Sequence, residues 1–584
     1  MVRIQVNLTV CAVIFLHLTA VALAAEVESE DKLLGLWGAE KAFLPAAEVL
    51  VLVEPEGDRL LARVAGLSAI VTTDGDEFRF ELPFGQGSFR GTHNRSNDEV
   101  VGHWISEPGD LVYSALAAPL TLHALGEQRW QGVVRPFEQR FSVYILIERD
   151  EDGVLRALLR NPERNQGVFT RVHNVVREGV EVRFLDADAN LALEASYNEE
   201  HGVLTVAMPW RGGSYDLTRR DRSSAPGFYP RRDTDAYRYQ MPSVLPDGWL
   251  VATPDSVGMD EARLTEFVQS VLDTQTTTLR TPYIHSVLVA RHGKLVLDEY
   301  FYGHHSGRTH DLRSASKSVT GLMVGRMLSE SHSIGVESPV YPMFKGMKIP
   351  VDERTSGLHV SHLLSMRSGF SCDDNDYETP GNEDRMQEQS EQPDWYRYTL
   401  TLPLVAAPGE SAVYCSAAIN LLGGVVSEAT GMWLPEFFRT RFAVPMQIEH
   451  YYYNLDPMGR GYAGGGIQMR PRDFLKFAQI MLDEGRWQGQ RIIPGDWVGQ
   501  SFAPHASIYS ENDYGYTWWR GQLPYRKGTV DIYSATGNGG QLLVIVPDLD
   551  LVVAFNGGNY GDFRTWVAWR DALLPEYILW AIED

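Results

Sequence analysis

The sequence predicts an α+β protein in which an all-β region, a sandwich or a barrel, precedes a domain of strands and helices. Between about 49 and 217, short segments alternate apolar and polar residues and are separated by turn residues such as Asp74 and Gly75. This alternation is typical of antiparallel strands. After about 250, strand-like runs lie near both ends of the region and helical patterns lie between them. We therefore expect an antiparallel sheet with flanking helices and a helical subdomain.

The all-β region shows a partly repeated order of features. Residues 49–53 and 57–62 resemble residues 143–147 and 152–157, since each pair is an apolar run followed by a turn and a second run. We interpret this order as two related halves, with chance resemblance between amphipathic strands as the alternative. No titratable cluster in the region has a catalytic spacing, so the sequence assigns it no function.

The second domain has its elements in a clear order. Apolar residues at helical spacing predict a first helix: Leu264, Phe267, Val268, Val271 and Leu272. A hairpin is expected around His292 and Gly293, followed by a mainly helical stretch over about 319–441. Three apolar runs predict strands at 530–533, 542–546 and 551–555. A closing helix is predicted over 563–574, where Pro575 should interrupt it.

These changes of pattern set the predicted domains. Residues 1–24 form a signal peptide, residues 25–220 an all-β accessory domain, residues 221–247 a proline-containing linker, and residues 248–584 the α+β domain. The signal has a positive start at Arg3, an apolar run and small residues before an acidic segment. An uncleaved anchor is the alternative. We expect cleavage, export to the periplasm or medium, and no membrane span in the mature chain.

The composition excludes several function classes. The 584 residues include 52 Lys and Arg against 76 Asp and Glu, a formal charge of −24. Such a chain repels nucleic acid, whose binding needs clustered cations. Three cysteines without a CxxC or Cys/His spacing give no zinc motif. We expect no metal and no cofactor.

Ser314 and Lys317 carry the first chemical motif. They lie three residues apart at the start of a predicted buried helix, so their side chains share a face. A hydroxyl needs an adjacent base to act as a nucleophile, and a lysine amine can serve directly or by holding a tyrosine as phenolate. The spacing alone is weak evidence, because Ser29 and Lys32 have it too.

Two further segments complete the candidate site. Tyr414 and Ser416 lie on a turn before an apolar helix, and a phenol there could accept the Ser314 proton. Asn538, Gly539 and Gly540 precede a strand beginning at Gln541. The main-chain N–H groups of Ser314 and Gln541 could then form an oxyanion hole. A core tyrosine and a plain glycine turn are the alternatives.

Together these motifs resemble the serine β-lactamase and penicillin-binding-protein superfamily. The likeness is strongest to its class C-like branch of esterases, peptidases and 6-aminohexanoate-dimer hydrolases. Ser314-Ala-Ser-Lys317 matches the nucleophile motif, Tyr414-Cys-Ser416 the tyrosine motif, and Asn538-Gly539-Gly540 the Lys-Thr-Gly segment. Residues 362–369 and 464–466 also fit. The resemblance covers roughly residues 248–584.

The resemblance implies a metal-free serine hydrolase that cleaves ester or amide bonds of small substrates through an acyl-enzyme. Ser314 would be the nucleophile, Lys317 and Tyr414 the general base, and Ser416, Asn538, Gly539, Gly540 and Gln541 would bind the oxyanion and substrate. Because Asn538 replaces the motif lysine, we expect weak or absent β-lactamase activity. A D-Ala peptidase of the cell wall that binds penicillin, or a catalytically silent binding protein, are the alternatives.

Cys372 and Cys415 are the one pair left in the mature chain for an intramolecular disulfide, since Cys11 lies in the predicted signal. The alternative is two buried free thiols. A bridge would fix the segment after Gly369 against the Tyr414 turn, and the chain-entropy model gives it roughly 4 kcal/mol.

Overall fold

The computed structural model describes residues 30–44, 48–109, 112–232, 235–331, 333–389, 393–509 and 512–583. The predicted signal, residues 1–24, lies outside these ranges. Within them, no helix has both the length and the apolar character needed to cross a membrane.

Antiparallel strands make up most of the described residues within 35–219, as the alternating pattern predicts. They are β1 (Gly35–Leu44), β2 (Val49–Glu56), β3 (Arg59–Val64), β4 (Leu67–Ile70), β5 (Thr72–Asp74), β6 (Glu77–Glu81), β7 (Ser88–Asn94), β8 (Glu99–Ser106), β9 (Leu116–Gly126), β10 (Arg129–Val134), β11 (Gln139–Arg149), β12 (Leu155–Arg160), β13 (Asn174–Glu178), β14 (Glu181–Leu185), β15 (Leu191–Asn198), β16 (Val203–Met208) and β17 (Gly213–Arg219). A short helix, Gln166–Phe169, follows β12. The two segments with repeated features are the hairpins β2–β3 and β11–β12.

These strands form two different sheets. β1 and β11 to β17 close into a barrel, whereas β2 to β10 form an open sheet in the order β4-β3-β2-β10-β9-β8-β7-β6-β5. Alternate residues of β6 and β10 are buried, so each of these strands has one buried face. The α+β fold class with an all-β barrel region ahead of it is therefore confirmed.

The described residues divide into two compact units that interleave along the chain. The first comprises the described residues within 30–41, 141–232 and 275–281, and holds the barrel. The second comprises the described residues within 42–140, 235–274 and 282–583. The open sheet thus belongs to the second unit, together with most of the C-terminal region. The predicted boundaries at 24, 220 and 247 stay predictions, since compactness and sequence pattern are different criteria.

The strands after residue 220 build the sheet that organises the second unit. They are β18 (Leu250–Val251), β19 (Ile284–Arg291), β20 (Lys294–Tyr300), β21 (His310–Asp311), β22 (Tyr451–Asn454), β23 (Ile467–Met469), β24 (Arg486–Trp487), β25 (Gln490–Arg491), β26 (Ala506–Ile508), β27 (Asn512–Tyr514), β28 (Trp519–Tyr525), β29 (Gly528–Gly537), β30 (Gln541–Val546) and β31 (Leu551–Gly557). Nine of them form one sheet in the order β18-β20-β19-β31-β30-β29-β28-β27-β26.

Helices cover both faces of this nine-stranded sheet. The α-helices after residue 220 are Glu261–Leu272, Ser316–Glu330, Glu353–Ser356, Val360–Leu364, Glu383–Gln387, Trp395–Leu400, Ser416–Thr430, Leu434–Phe438, Pro471–Leu482, Gly495–Phe502 and Phe563–Ala568. In β19, Val287 and Val289 pack with the Glu261–Leu272 side, while Leu288 and Ala290 pack with the Ser316–Glu330 side. Period-two alternation therefore supplies two apolar faces, and β19 is buried along its whole length.

The open sheet continues into the C-terminal region within the second unit. The start of β9 pairs with β22, with Ala117 opposite Tyr453 and Leu116 opposite Asn454. β22 then pairs with β23, and β23 with β21. β21 ends at Asp311, three residues before Ser314, so this sheet reaches the segment that carries the candidate nucleophile.

The predicted interruption at Pro575 is wrong. The helix Phe563–Ala568 continues as a π-helix over Trp569–Leu579, with Pro575 inside it. A proline breaks an α-helix because it lacks the N–H and clashes with the carbonyl four residues earlier. The wider π-helical turn bonds five residues apart, so it accommodates the ring.

Candidate functional site

The candidate nucleophile lies on a tightly fixed turn. Ser314 is in the 3₁₀ turn Arg313–Ala315, which leads directly into the buried helix Ser316–Glu330. Arg313 has a φ of 49°, a left-handed conformation that costs energy in a residue with a side chain. Asp311 holds it by accepting a hydrogen bond from the Arg313 main-chain N–H at 3.1 Å and pairing with the guanidinium at 3.0 Å.

Lys317 points at Ser314, as the three-residue spacing predicts. Its Nζ donates to Ser314 Oγ at 2.9 Å and to the carbonyl oxygen of Gly464 at 2.7 Å. Only 1% of the residue is exposed. Gly464 lies in the triple-glycine segment that supports the family resemblance, and here it anchors the amine.

Tyr414 completes the cluster from a distant part of the chain. Lys317 Nζ is 5.0 Å from the centre of the Tyr414 ring, and both Ser314 and Lys317 lie close enough to lower the pKa of the phenol. The ring stacks on Trp519, with centres 5.8 Å apart and planes at 14°. The structure thus brings the three predicted catalytic side chains together.

Both proton-carrying groups are held in their protonated forms. Burial alone would lower the pKa of Lys317, but Tyr414, Glu383 and Asp374 outweigh it and raise the pKa above its usual value. Burial raises the pKa of Tyr414, against the opposing charge of Lys317. At neutral pH the resting pair is therefore an ammonium and a phenol, and a base forms when the pair loses one proton.

A buried carboxyl pair lies beside these groups. Asp374 Oδ2 accepts from the Ser416 N–H at 2.8 Å and from its hydroxyl at 2.6 Å. Glu383 Oε2 is 3.3 Å from the same hydroxyl, and Tyr462 donates to Glu383. Burial and the charge of Glu383 raise the pKa of Asp374 to about 7. Ser416, predicted to bind substrate, instead positions a carboxyl group.

The two mature cysteines form a disulfide bond. Cys372 and Cys415 are bridged with Cα atoms 5.6 Å apart, and both residues are buried. The bridge lies next to Asp374 on one side and Tyr414 on the other. The Asp374 N–H also donates to the Tyr414 carbonyl oxygen at 3.0 Å. The carboxyl pair and the phenol are therefore tied to each other covalently and through the main chain.

The sequence matches the third motif to Asn538-Gly539-Gly540, which ends at Gly540. The close approach to the nucleophile turn is at Gly537, three residues before that end. A Cβ on Gly537 would lie 2.2 Å from the Leu312 carbonyl oxygen and 3.2 Å from the Ala315 nitrogen, so this close approach requires glycine. Asn538 lines the same pocket as Ser314. Its side chain accepts a hydrogen bond from the Gly561 N–H at 3.0 Å.

The other predicted residues of this segment lie elsewhere. Gly539 and Gly540, both with a φ of 95°, approach the rings of Tyr560 and Trp569. The Gln541 side chain is wholly buried, donating to the Gly557 carbonyl oxygen at 2.7 Å. None of these three is among the described residues that line the Ser314 pocket.

Comparison with known proteins gives a family for the part of the chain that holds this site. Residues 285–565 match the profile of the family described as Beta-lactamase. The chain carries a β-lactamase-family domain. A 6-aminohexanoate-dimer hydrolase from Paenarthrobacter ureafaciens is 26% identical over 308 residues, which is 49% of this chain and 76% of that enzyme.

Solved structures with a similar fold cover about half of the chain. Simvastatin synthase (LovD) from Aspergillus terreus is 16% identical, with a TM-score of 0.44 over 55% of this chain and 97% of that one. A penicillin binding protein from Bacillus halodurans is 17% identical, with a TM-score of 0.40 over 50% of this chain and 97% of that one.

The pocket of the β-lactamase-family domain contains residues that sequence reasoning missed. Ser314 opens into a cavity of about 250 Å³. Its lining includes Ser114 from the open sheet's side of the second unit, Asn454 at the end of β22, and Tyr462. For one of these residues the sequence carries a local signal, since Tyr462 stands two residues before the triple glycine at 464–466. The β9–β22 pairing that brings Ser114 close has no local signature.

A larger cavity adjoins this pocket. It measures about 860 Å³ and shares Ser114, Asp384 and Trp395 with the Ser314 pocket. The described residues that line it include Ile105, Glu107, Pro108, Tyr113, Ser114 and Ala115, and the ring of Tyr113 is exposed. The strands before the β-lactamase-family domain thus contribute directly to the surroundings of Ser314.

Proposed function

We propose that the protein is an exported serine hydrolase that cleaves ester or amide bonds of small substrates through an acyl-enzyme on Ser314. The observation that carries this proposal is the 2.9 Å hydrogen bond from Lys317 Nζ to Ser314 Oγ beside the phenol of Tyr414. A serine hydroxyl becomes a nucleophile when an adjacent base removes its proton. Export rests on the sequence of residues 1–24.

Acylation begins when the lysine–tyrosine pair has lost one proton. Tyr414, as phenolate held by the charge of Lys317, takes the proton of Ser314 Oγ while that oxygen bonds to the substrate carbonyl carbon. The tetrahedral intermediate then collapses, and Tyr414 returns the proton to the leaving alcohol or amine. In deacylation, Tyr414 takes a proton from water while the water oxygen bonds to the carbonyl carbon of the acyl-enzyme. The bond from that carbon to Ser314 Oγ then breaks, Tyr414 returns the proton to Oγ, and the acid is released.

The oxyanion needs donors that lie next to the nucleophile. We assign the Ser314 N–H and the Asn538 N–H to this role, in place of the predicted Gln541. The contact between Gly537 and the nucleophile turn supports the change, because it sets the next residue at the pocket. Gly539, Gly540 and Ser416 then act by shaping and positioning.

The charge of the pocket favours one class of substrate. Four acidic side chains line it, namely Asp311, Asp374, Glu383 and Asp384, against the single cation Arg313 among the described lining residues. Arg313 is already paired with Asp311. We therefore propose neutral or cationic acyl substrates, and we keep the expectation of weak or absent turnover of anionic β-lactams.

The test is labelling by a fluorophosphonate serine probe, followed by a screen of short-chain esters, amides and D-amino-acid peptides. Wild type should be labelled once and should hydrolyse at least one class, whereas Ser314→Ala should do neither. Ser329→Ala is the matched control, since that serine is exposed at the end of the same helix. An unlabelled wild type would refute the proposal and favour a silent binding protein.

The same purified protein also tests the alternative function, a D-Ala peptidase that binds penicillin. Penicillin acylation of Ser314 that reverses slowly, seen as a mass increase of the intact chain, would favour a D-Ala peptidase. Rapid turnover of a penam or cephem would contradict the weak β-lactamase activity that we expect.

A further inference from the structure

Three histidines meet in the second unit, on elements that are not part of the Ser314 cluster. His285 lies on β19, His304 in the loop after β20, and His310 at the start of β21. One ligand nitrogen from each lies within 4.8 Å of the other two. His310 Nε2 is 3.1 Å from His304 Nδ1.

The cluster is buried, and its polar atoms are incompletely used. His285 is 1% exposed and His310 5%. His304 Nε2 is buried and makes no hydrogen bond to any described residue. A buried nitrogen without a partner is unfavourable, so hydrogen bonds among the described residues do not account for the placement of this ring.

We propose that His285, His304 and His310 bind one divalent transition-metal ion, with Zn²⁺ as the best candidate. Imidazole nitrogens suit Zn²⁺, Cu²⁺ and Ni²⁺, whereas Ca²⁺ and Mg²⁺ need oxygen ligands that the cluster does not supply. Zn–N bonds of about 2.0–2.1 Å put tetrahedral ligand nitrogens roughly 3.3 Å apart. One pair, at 3.1 Å, is already near that separation.

Binding requires a local adjustment of the rings. His285 and His304 are stacked, with centres 3.9 Å apart and planes at 12°, so they must rotate to direct their lone pairs at one ion. His304 is on a loop, the element best able to move. Arg308 places positive charge near His304 and His310, so we expect weaker binding than in a four-ligand structural zinc site.

The ion would act as a clamp and take no part in the chemistry at Ser314. It would join β19, the loop after β20, and β21. The last residue of β21 is Asp311, which leads into the nucleophile turn. A ligand that binds only the folded state raises stability in proportion to the logarithm of its concentration over its dissociation constant. The thermal midpoint should therefore rise with added Zn²⁺.

The test uses the full chain without a histidine tag, stripped with a chelator and titrated calorimetrically with Zn²⁺. We expect one ion per chain, and with Co²⁺ a visible absorption band of tetrahedral coordination. His304→Ala should weaken Zn²⁺ binding by at least about tenfold. His305→Ala, which removes the exposed neighbouring histidine, should bind as wild type does.

Two results would overturn the proposal. The first is wild type without stoichiometric Zn²⁺ binding, which needs no variant. The second is equal affinity in His304→Ala, or in His304→Gln if the alanine variant fails to fold. Fluorophosphonate labelling of Ser314 is measured on the same samples, so a failed metal site is distinguishable from a failed hydrolase.

Discussion

Asp374→Asn should change the pH dependence of stability. Burial and the charge of Glu383 raise the pKa of Asp374 to about 7, compared with 3.8 for the free side chain. A carboxyl group with a raised pKa binds its proton more tightly when folded. Its contribution to stability is therefore complete below pH 4 and is lost as the pH rises through 7. Asparagine keeps an oxygen acceptor for Ser416 but does not titrate.

The size of the effect follows from the shift. About three pKa units correspond to about 4 kcal/mol, or about 1.4 kcal/mol per pH unit between pH 4 and 7. Asp374 lines a cavity that can admit water, and we therefore expect about 2–4 kcal/mol. Between pH 4 and pH 8, the free energy of unfolding of wild type should fall by this amount relative to that of the variant.

The assay is urea unfolding of both proteins at pH 4, 5, 6, 7 and 8. Asp376→Asn is the matched control, since this exposed aspartate lies on the same segment and should keep the wild-type slope. If the free energies of unfolding of wild type and Asp374→Asn change with pH in parallel, the reasoning is refuted, because Asp374 would then titrate alike in the folded and unfolded chains.

Three further predictions concern the same pocket. Glu383→Gln removes a charge that raises the pKa values of the catalytic amine and phenol, so the rise of hydrolysis rate with pH should move about one unit lower. Cys372→Ser opens a bridge between residues 43 apart and should lower the free energy of unfolding by about 4 kcal/mol. Gly537→Ala places a Cβ 2.2 Å from the Leu312 carbonyl oxygen, and kcat/KM should fall at least about tenfold while fluorescence reports a folded chain.

Each of these three predictions has an outcome that would contradict it. An unchanged pH–rate profile in Glu383→Gln would show that its charge does not reach the catalytic pair. Equal stability of Cys372→Ser and wild type would mean that the bridge is absent in solution. Wild-type kcat/KM in Gly537→Ala would show that the nucleophile turn does not need this close approach, with Gly528→Ala, at an open position, as its control.

Local rules were sufficient for one part of the site. Ser314 and Lys317 lie three residues apart at a helix start, and helical geometry alone puts their side chains together. The alternation of β19 and the spacing in Glu261–Leu272 likewise predicted elements that the structure contains. Local propensity failed at Pro575, where the surrounding π-helix removed the clash that ends an α-helix.

Other parts required distant segments to meet. The acidic run around Asp374 has the composition of a solvated loop, so its residue pattern alone predicts no place in the site. The bridge to Cys415 and two hydrogen bonds from Ser416 fold the stretch over the amine and phenol. The place of the glycine motif also required the tertiary structure. Gly537, Gly539 and Gly540 all suit the motif by sequence, but of these three it is Gly537 that approaches the nucleophile turn, three residues before the predicted Gly540.

The amino-acid sequence by itself determined the strands, the main helices and the serine–lysine pair, because each depends on residues within one or two turns of chain. Tertiary structure alone decided the surroundings of that pair. The charge of the pocket, the protonation of its groups and the lining that Tyr113 and Ser114 supply depend on which segments exclude water together, and that information is not local to any of them.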